Sequence, residues 1–257
     1  MSGWRHASRF PHPMRIHRLQ GLAAYSYLLE TPDDLFLIDA GTPRHAHAIL
    51  GKIHEIGRAP ADIRLAIVTH GHADHFGGLA HVQEVAGGFP VIAHPAHVSA
   101  VSTGAVLVSP GLNPFSKIYE LLAVRYLSAV GLRGVREVLP APDDMTLDEF
   151  GLAGRIVHTP GHSTGDITLL LDDGSAFVGD TIQGRRIPRL TPPELPNMAL
   201  DVAALLGSWT DLLERGATRF FPAHGSTVTA EEIRPVLARA LRRHAVDAVG
   251  GTRPGAA

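Results

Sequence analysis

The sequence predicts an α/β fold on three observations. Apolar β-type runs alternate with segments of helical spacing, the ionisable side chains stand just past the ends of those runs, and 257 residues at 45% hydrophobic content can bury a sizeable core without a dividing linker. "AYSYLLE" and "LFLIDAG" read as strands around the turn "TPDD", and "PRHAHAILGKIHEIG" has helical spacing and a glycine stop. "DIRLAIVTH" reads as a buried strand ending at His70, "GGLAHVQEVAGG" as a helix and "FPVIAHP" as a strand closed by proline. A helix is predicted over 113–130, too short to span a membrane, and "GRIVHTPGH" as the next strand. "DITLLLDDGSAFVGD" is a strand, a "DDG" turn and a second strand ending at Asp180. "SWTDLLERGATRFFPAHG" gives a helix and a strand ending at His224, and "TAEEIRPVLARALRRHAVDAV" a last helix. The expected organisation is one domain over 1–249 and a flexible tail over 250–257.

Composition narrows the function. With 23 basic and 25 acidic side chains, net −2, no basic field argues for nucleic acid and no acidic block for disorder. Zero cysteines exclude disulfides, thiolate ligands and cysteine nucleophiles, so any metal sits on nitrogen and oxygen. The opening "MSGWRHASRFPHPM" has no apolar signal core, and no membrane-length apolar run follows it, so the cytoplasm is the expected location, with no membrane partner. Sixteen histidines stand out.

"THGHADHFGG" sets His70, His72, Asp74 and His75 on a short loop between a strand and a helix. Burying three imidazoles and a carboxylate together costs free energy unless each finds a partner, and a divalent cation is one partner for all four. Further candidate ligands recur just past predicted strands: His162 in "TPGHS", Asp180 in "VGDT" and His224 in "PAHGS". In α/β sheets, side chains beyond strand ends converge in a crevice, so separate loops can meet the first cluster.

These motifs, "THGHADHFGG", "TPGHSTGD", "FVGDT" and "FPAHG" in that order, resemble the metallo-β-lactamase superfamily, specifically its two-metal hydrolases related to glyoxalase II and the lactonases. The resemblance spans about Tyr25 to Gly225. It implies a four-layer αββα sandwich with the metals at one edge. By it His70, His72 and His162 hold one ion, Asp74, His75 and His224 the other, and Asp180 bridges them. "LIDAG" looks like the family's early strand, whose Asp39 commonly supports the site. Two divalent ions are implied, zinc first and iron or manganese as alternatives. They would supply a hydroxide nucleophile and polarise a carbonyl or phosphoryl oxygen, with Asp74 or Asp180 handling a proton.

Departures from relatives bound the substrate. Little chain follows His224, which disfavours a glutathione thioester, and Asp180 argues against antibiotic hydrolysis as the main reaction. Gln183 stands where several lactonases carry tyrosine. A small-molecule ester, thioester or lactone is the expected substrate. The alternatives are a one-iron persulfide dioxygenase-like enzyme, a phosphodiesterase of the same superfamily, and a non-catalytic metal- or partner-binding member. "QGRRIPRL" offers Arg185 and Arg186 to a substrate anion, and Phe115, Tyr119 and Tyr126 offer an acyl-binding wall. His45 with His47, and His94 with His97, read as structural or exposed. A homo-oligomer, and whether helix 113–130 is lid, core or interface, are left open.

Overall fold

The structure is a computed structural model that describes residues 14–21, 24–112, 117–118, 121–122, 125, 131–185 and 191–250, the last six without their side chains. Among the described residues, eleven strands form two sheets. The first has the order β1 (Arg15–Gln20), β2 (Tyr25–Glu30), β3 (Leu35–Ile38), β4 (Ile63–Ile67), β5 (Val91–Ala93) and β6 (Val138–Pro140). It is antiparallel from β1 to β3 and parallel from β3 to β6. In the second, β11 (Val228–Thr229), β10 (Arg219–Pro222), β9 (Ser175–Gly179), β8 (Ile167–Leu171) and β7 (Gly154–His158) lie side by side. Only the β9–β10 pair is parallel there, so β7, β9 and β10 run in one direction.

Period-2 alternation divides the core into three apolar layers. Leu28, Leu35, Leu37 and Ala66 pack with Ile49 and Ile53 of α1 (Ala46–Glu55) and Val82 of α3 (Leu79–Ala86). Their neighbours Tyr27, Leu29, Phe36, Ile38, Leu65 and Ile67 face Ile156, Ile167, Leu169, Leu171 and Phe177 of the second sheet. On that sheet's other face, Leu170, Ala176 and Val178 meet Leu205, Trp209 and Leu212 of α5 (Val202–Glu214) and Ile233 and Leu237 of α6 (Ala230–Gly250). Helix, sheet, sheet, helix is the expected αββα order.

Some boundaries differ from the sequence reading. The strand expected to reach His70 leaves its ladder after Ile67, and the one expected to reach His224 stops at Pro222. The reason lies in the partners: Val68 N–H still donates to Ile92 O, but Thr69 O accepts from Ile167 N–H of the opposite sheet, so the backbone here ties one sheet to the other. The helix expected from near Gly77 is preceded by a single turn, α2 (Ala73–Phe76). Strands β1, β6 and β11 and helix α4 (Pro95–Thr103) were not anticipated. Of the helix expected over 113–130, residues 117–118, 121–122 and 125 are helical. Phe115, Tyr119, Tyr126 and Arg186 lie outside the described residues, as does the tail beyond Gly250. Among the described residues no helix is long and apolar enough to cross a membrane.

Candidate metal centre

Strands of like direction bring their C-terminal ends to one edge, where the expected residues meet. Asp39 follows β3, His70 and His72 lie just past β4, and Asp74 and His75 sit on α2. From the second sheet come His162 after β7, Asp180 directly after β9, and His224 after β10. Gly179 is needed for the entry to Asp180: its φ is +52°, and a Cβ there would lie 2.4 Å from Thr69 Oγ1. Gly161, with φ +141°, lets the "TPGHS" loop lie on α5, where a Cβ would stand 2.4 Å from the Leu205 backbone.

The ligand atoms form adjoining groups, each lying within 4.8 Å of one another: His70, His72 and His162; His70, His75 and Asp180; and Asp74, His75 and His224. The first and third are the two sets expected from the sequence. Asp180 straddles them, with Oδ2 3.7 Å from His162 Nε2 and Oδ1 3.4 Å from His75 Nε2 and 3.3 Å from His224 Nε2.

Hydrogen-bond partners fix the tautomers. His75 Nδ1 lies 2.8 Å from Asp39 Oδ2, and a carboxylate only accepts, so Nδ1 carries a proton and the neutral, ligating form of His75 has its lone pair on Nε2. Asp39 also accepts from Thr69 N–H at 2.8 Å and the Thr69 hydroxyl at 2.7 Å. With its proton so committed, Thr69 Oγ1 accepts from His70 Nδ1 at 3.2 Å, which leaves a lone pair on His70 Nε2. His162 Nδ1 donates to Met198 O at 2.7 Å and leaves another on Nε2. Both Nε2 atoms close on His72 Nδ1, at 3.0 and 3.1 Å. The far nitrogen of His72 lies 3.3 Å from Ser109 Oγ; when it donates there, three lone pairs face one another.

That arrangement is repulsive without a cation between the rings. In the neighbouring group His75 Nε2 and Asp180 Oδ1 lie 3.4 Å apart, both buried without a hydrogen-bond partner. The donor set, imidazole nitrogens with carboxylates, suits zinc and other borderline divalent ions, so the residues fit the metal their sequence implies.

Charge follows the same division. Burial, reinforced by His75, His72 and His162, holds the His70 pKa well below the usual imidazole value, and burial with His162 and His75 does the same for His72. Burial alone would lower His75 as well, but Asp180, Asp39 and Asp74 outweigh it and hold it well above. Asp180 raises His224 against the effect of burial. Asp180 itself, which burial would raise, is held well below the carboxylate range by His224 and His75.

Several supporting groups carried no sequence motif. Thr69 links Asp39 to His70, Ser109 abuts His72, and a backbone carbonyl at Met198 orients His162. Buried Asp166 accepts from the Ser163 N–H at 2.6 Å and from its hydroxyl, fixing the loop that carries His162. His97 accepts from Gly71 N–H at 2.9 Å, and burial, then His94 and His162, push its pKa down to about 4.

The folded state therefore prefers neutral His97. Below the unfolded pKa of about 6.5 the unfolded chain binds more protons, so stability falls as the pH drops from there to about 4, then levels off, a loss on the order of 3 kcal/mol. His97→Asn keeps an acceptor for Gly71 and removes the titration. Urea unfolding of chelator-treated protein should lose that much slope in the variant relative to the parent, and equal slopes would assign the acid sensitivity elsewhere.

Other expected contacts come out differently. Arg185 Nη2 donates to Glu232 Oε1 at 2.5 Å, so the guanidinium expected to meet a substrate anion is held by α6. Gln183 pairs through its backbone with Glu194. His45 is buried and His47 exposed, whereas His94 accepts from Ala96 N–H at the start of α4. His94, Asp143 and His158 form a further group, but the two rings stack at 4.3 Å with planes 17° apart. Lone pairs in parallel planes do not converge, and we assign no ion there.

A four-layer sandwich thus carries, at the ends of its strands, a histidine–aspartate cluster able to hold metal ions. The chain belongs to the metallo-β-lactamase superfamily, whose sequence model matches residues 19–230. The probable metallo-hydrolase YflN of Bacillus subtilis is 29% identical over 175 residues, 65% of this chain and 64% of its own length. The β-lactamase-like protein 2 homolog of Drosophila melanogaster is 26% identical over 216 residues, 79% of this chain. The chain thus spans less than two thirds of either relative, 64% and 59% respectively. In fold it is similar to the metallo-β-lactamase family protein TTHA1429 of Thermus thermophilus, with a TM-score of 0.64 and 18% identity over 91% of this chain and 79% of that one. It is likewise similar to a metallo-β-lactamase of Cronobacter sakazakii, with a TM-score of 0.62 and 20% identity over 91% and 92% of the two chains.

Proposed function

We propose that the protein is a hydrolase that works with two divalent ions, zinc foremost, on an ester, thioester or lactone of a small molecule. One observation carries this reading: Asp180 directs its two carboxylate oxygens at different ligand groups, and one of those oxygens is buried without a hydrogen-bond partner. Divalent ions held there would supply a water of lowered pKa and polarise the scissile oxygen. His70, His72 and His162 would hold one of them, and Asp74, His75 and His224 the other. Asp39 keeps the His75 lone pair directed at the site, and Met198 O does so for His162. Asp74, grouped with the more exposed His224, is placed to take a proton and pass it to water.

Metal analysis tests the reading. About two ions per chain, with turnover of an ester panel and no oxygen uptake on a glutathione persulfide, are expected. One iron per chain with oxygen uptake would overturn it in favour of the dioxygenase. The half-sites should also be separable: His72→Ala should mainly lose the ion shared with His70 and His162, and His224→Ala the other. Loss of the same ion in both variants would refute the partition.

A further inference from the structure

His97 lies outside every ligand motif, on α4, yet its ring meets both of the loops that carry the three-histidine group. Its Nδ1 accepts from the N–H of Gly71, the residue between His70 and His72, at 2.9 Å. A Cβ on Gly71 would stand 3.1 Å from Cγ of the same ring. On the other loop, a Cβ on Gly165, just past His162, would stand 2.7 Å from Nδ1, 2.8 Å from Cε1 and 2.9 Å from Cγ. Neither glycine has a positive φ, so what each position needs is room for the imidazole and not an unusual backbone.

The two loops belong to different sheets, His70 and His72 following β4 and His162 following β7, so neither loop by itself sets the spacing of all three nitrogens. A ligand set must be held to within about 0.5 Å by the groups behind it. His97 is buried in contact with both loops, and α4 bears on the His162 loop a second time. His94, at the start of α4, stacks on His158 at 4.3 Å, and His158 Nε2 donates to Thr164 O, next to Gly165, at 3.1 Å. The neighbouring ligand group rests on other partners. Asp39 holds His75, Tyr25 N–H donates to Ala223 O, and Gly184 N–H donates to His224 O.

We propose that His97 is a positioning residue for the three-histidine ion: it sets the loop of His70 and His72 against that of His162, and so governs the affinity of that half-site and not of its neighbour. This rests on the two-ion part of the reading above and is independent of the substrate.

Zinc binding to chelator-treated protein, measured by chelator competition in two backgrounds, reads each half-site alone: His224→Ala keeps the three-histidine group and His72→Ala its neighbour. His97→Ala should weaken zinc about tenfold or more in the first background and change it by less than about twofold in the second. His97→Asn, which keeps an acceptor for Gly71, should restore affinity to within about threefold of that background. Gly165→Ala presses on the ring from the other loop and should weaken the same ion about tenfold, an effect that His97→Ala should abolish because the ring it meets is gone. Gly165→Ala also gives the half-site comparison should His97→Ala not fold. Equal weakening in both backgrounds would make His97 a general stability residue and overturn the proposal, as would additive effects of Gly165→Ala and His97→Ala. Zinc held in both backgrounds without response to either substitution overturns the proposal and leaves the two-ion reading intact. A parent chain that holds no zinc overturns the two-ion reading and this proposal with it.

Discussion

If two ions are held as proposed, Asp180→Asn is expected to cost the protein that pair while leaving the fold intact. The substitution preserves shape but replaces one anionic oxygen by an amide nitrogen, and a neutral amide cannot bridge two cations. In the parent, Oδ1 stands 3.4 and 3.3 Å from the Nε2 atoms of His75 and His224. The amide gives up the attraction that raises the pKa of His75 and His224 and lowers that of Asp180, so at neutral pH the metal-free variant should be less stable than metal-free parent. Affinity for the second ion should fall on the order of 10²-fold or more, with turnover falling in step. A separate readout is the His224 titration of chelator-treated protein: Asp180 is the main cause of its raised pKa, so the variant should titrate lower. Two tightly held ions and parental turnover in the variant would remove Asp180 from the bridge.

Asp39→Asn should strike both stability and metal affinity without touching an ion. Its carboxylate accepts three hydrogen bonds, from Thr69 N–H, the Thr69 hydroxyl and His75 Nδ1. An amide has one acceptor oxygen, so in either orientation a buried donor faces another donor, at a cost of about 1–3 kcal/mol. Where the amide nitrogen faces His75, the ring escapes by moving its proton to Nε2, the atom that must be a lone pair to ligate. Metal affinity should then fall about 10–100-fold. Asp39 has φ +55°, a region asparagine also tolerates, so the backbone does not confound the comparison. Chelator competition and urea unfolding of the metal-free protein measure the two effects. A variant that loses stability but keeps full affinity would make Asp39 a packing residue only.

The candidate cluster was legible because its chemistry is written in the side chains: His70, His72, Asp74 and His75 crowd four ionisable groups into six consecutive positions. The layers were legible because Tyr27, Leu28 and Leu29, or Leu35, Phe36 and Leu37, are apolar on both faces, as strands buried between helices and a second sheet must be. What stayed hidden has a common cause. Edge strand β1 is largely polar and part-exposed, and β6 has only three residues, so neither carries a period. Thr69 and Ser109 are ordinary residues until the fold supplies their partners, and Met198 acts through its carbonyl, which every residue possesses. Arg185 was misplaced because proximity in sequence to Asp180 does not reveal that α6 brings Glu232 to it first.

The backbone bond between the sheets at Thr69 bears on how long the folded protein survives. Each three-residue ligand group draws side chains from both sheets: His70 and His72 with His162, Asp74 and His75 with His224. An ion in either group would be a rivet at the edge of the seam where the N-terminal and C-terminal halves of the chain meet, adding to the apolar layer between the sheets and to bonds such as Ile167 N–H to Thr69 O. On the two-ion reading, ions would bind the native seam and not the separated halves, so their supply would set the fraction of time the seam stands open to a protease. Metal scarcity would then be felt first as faster turnover of the chain, with the loss of chemistry as its companion.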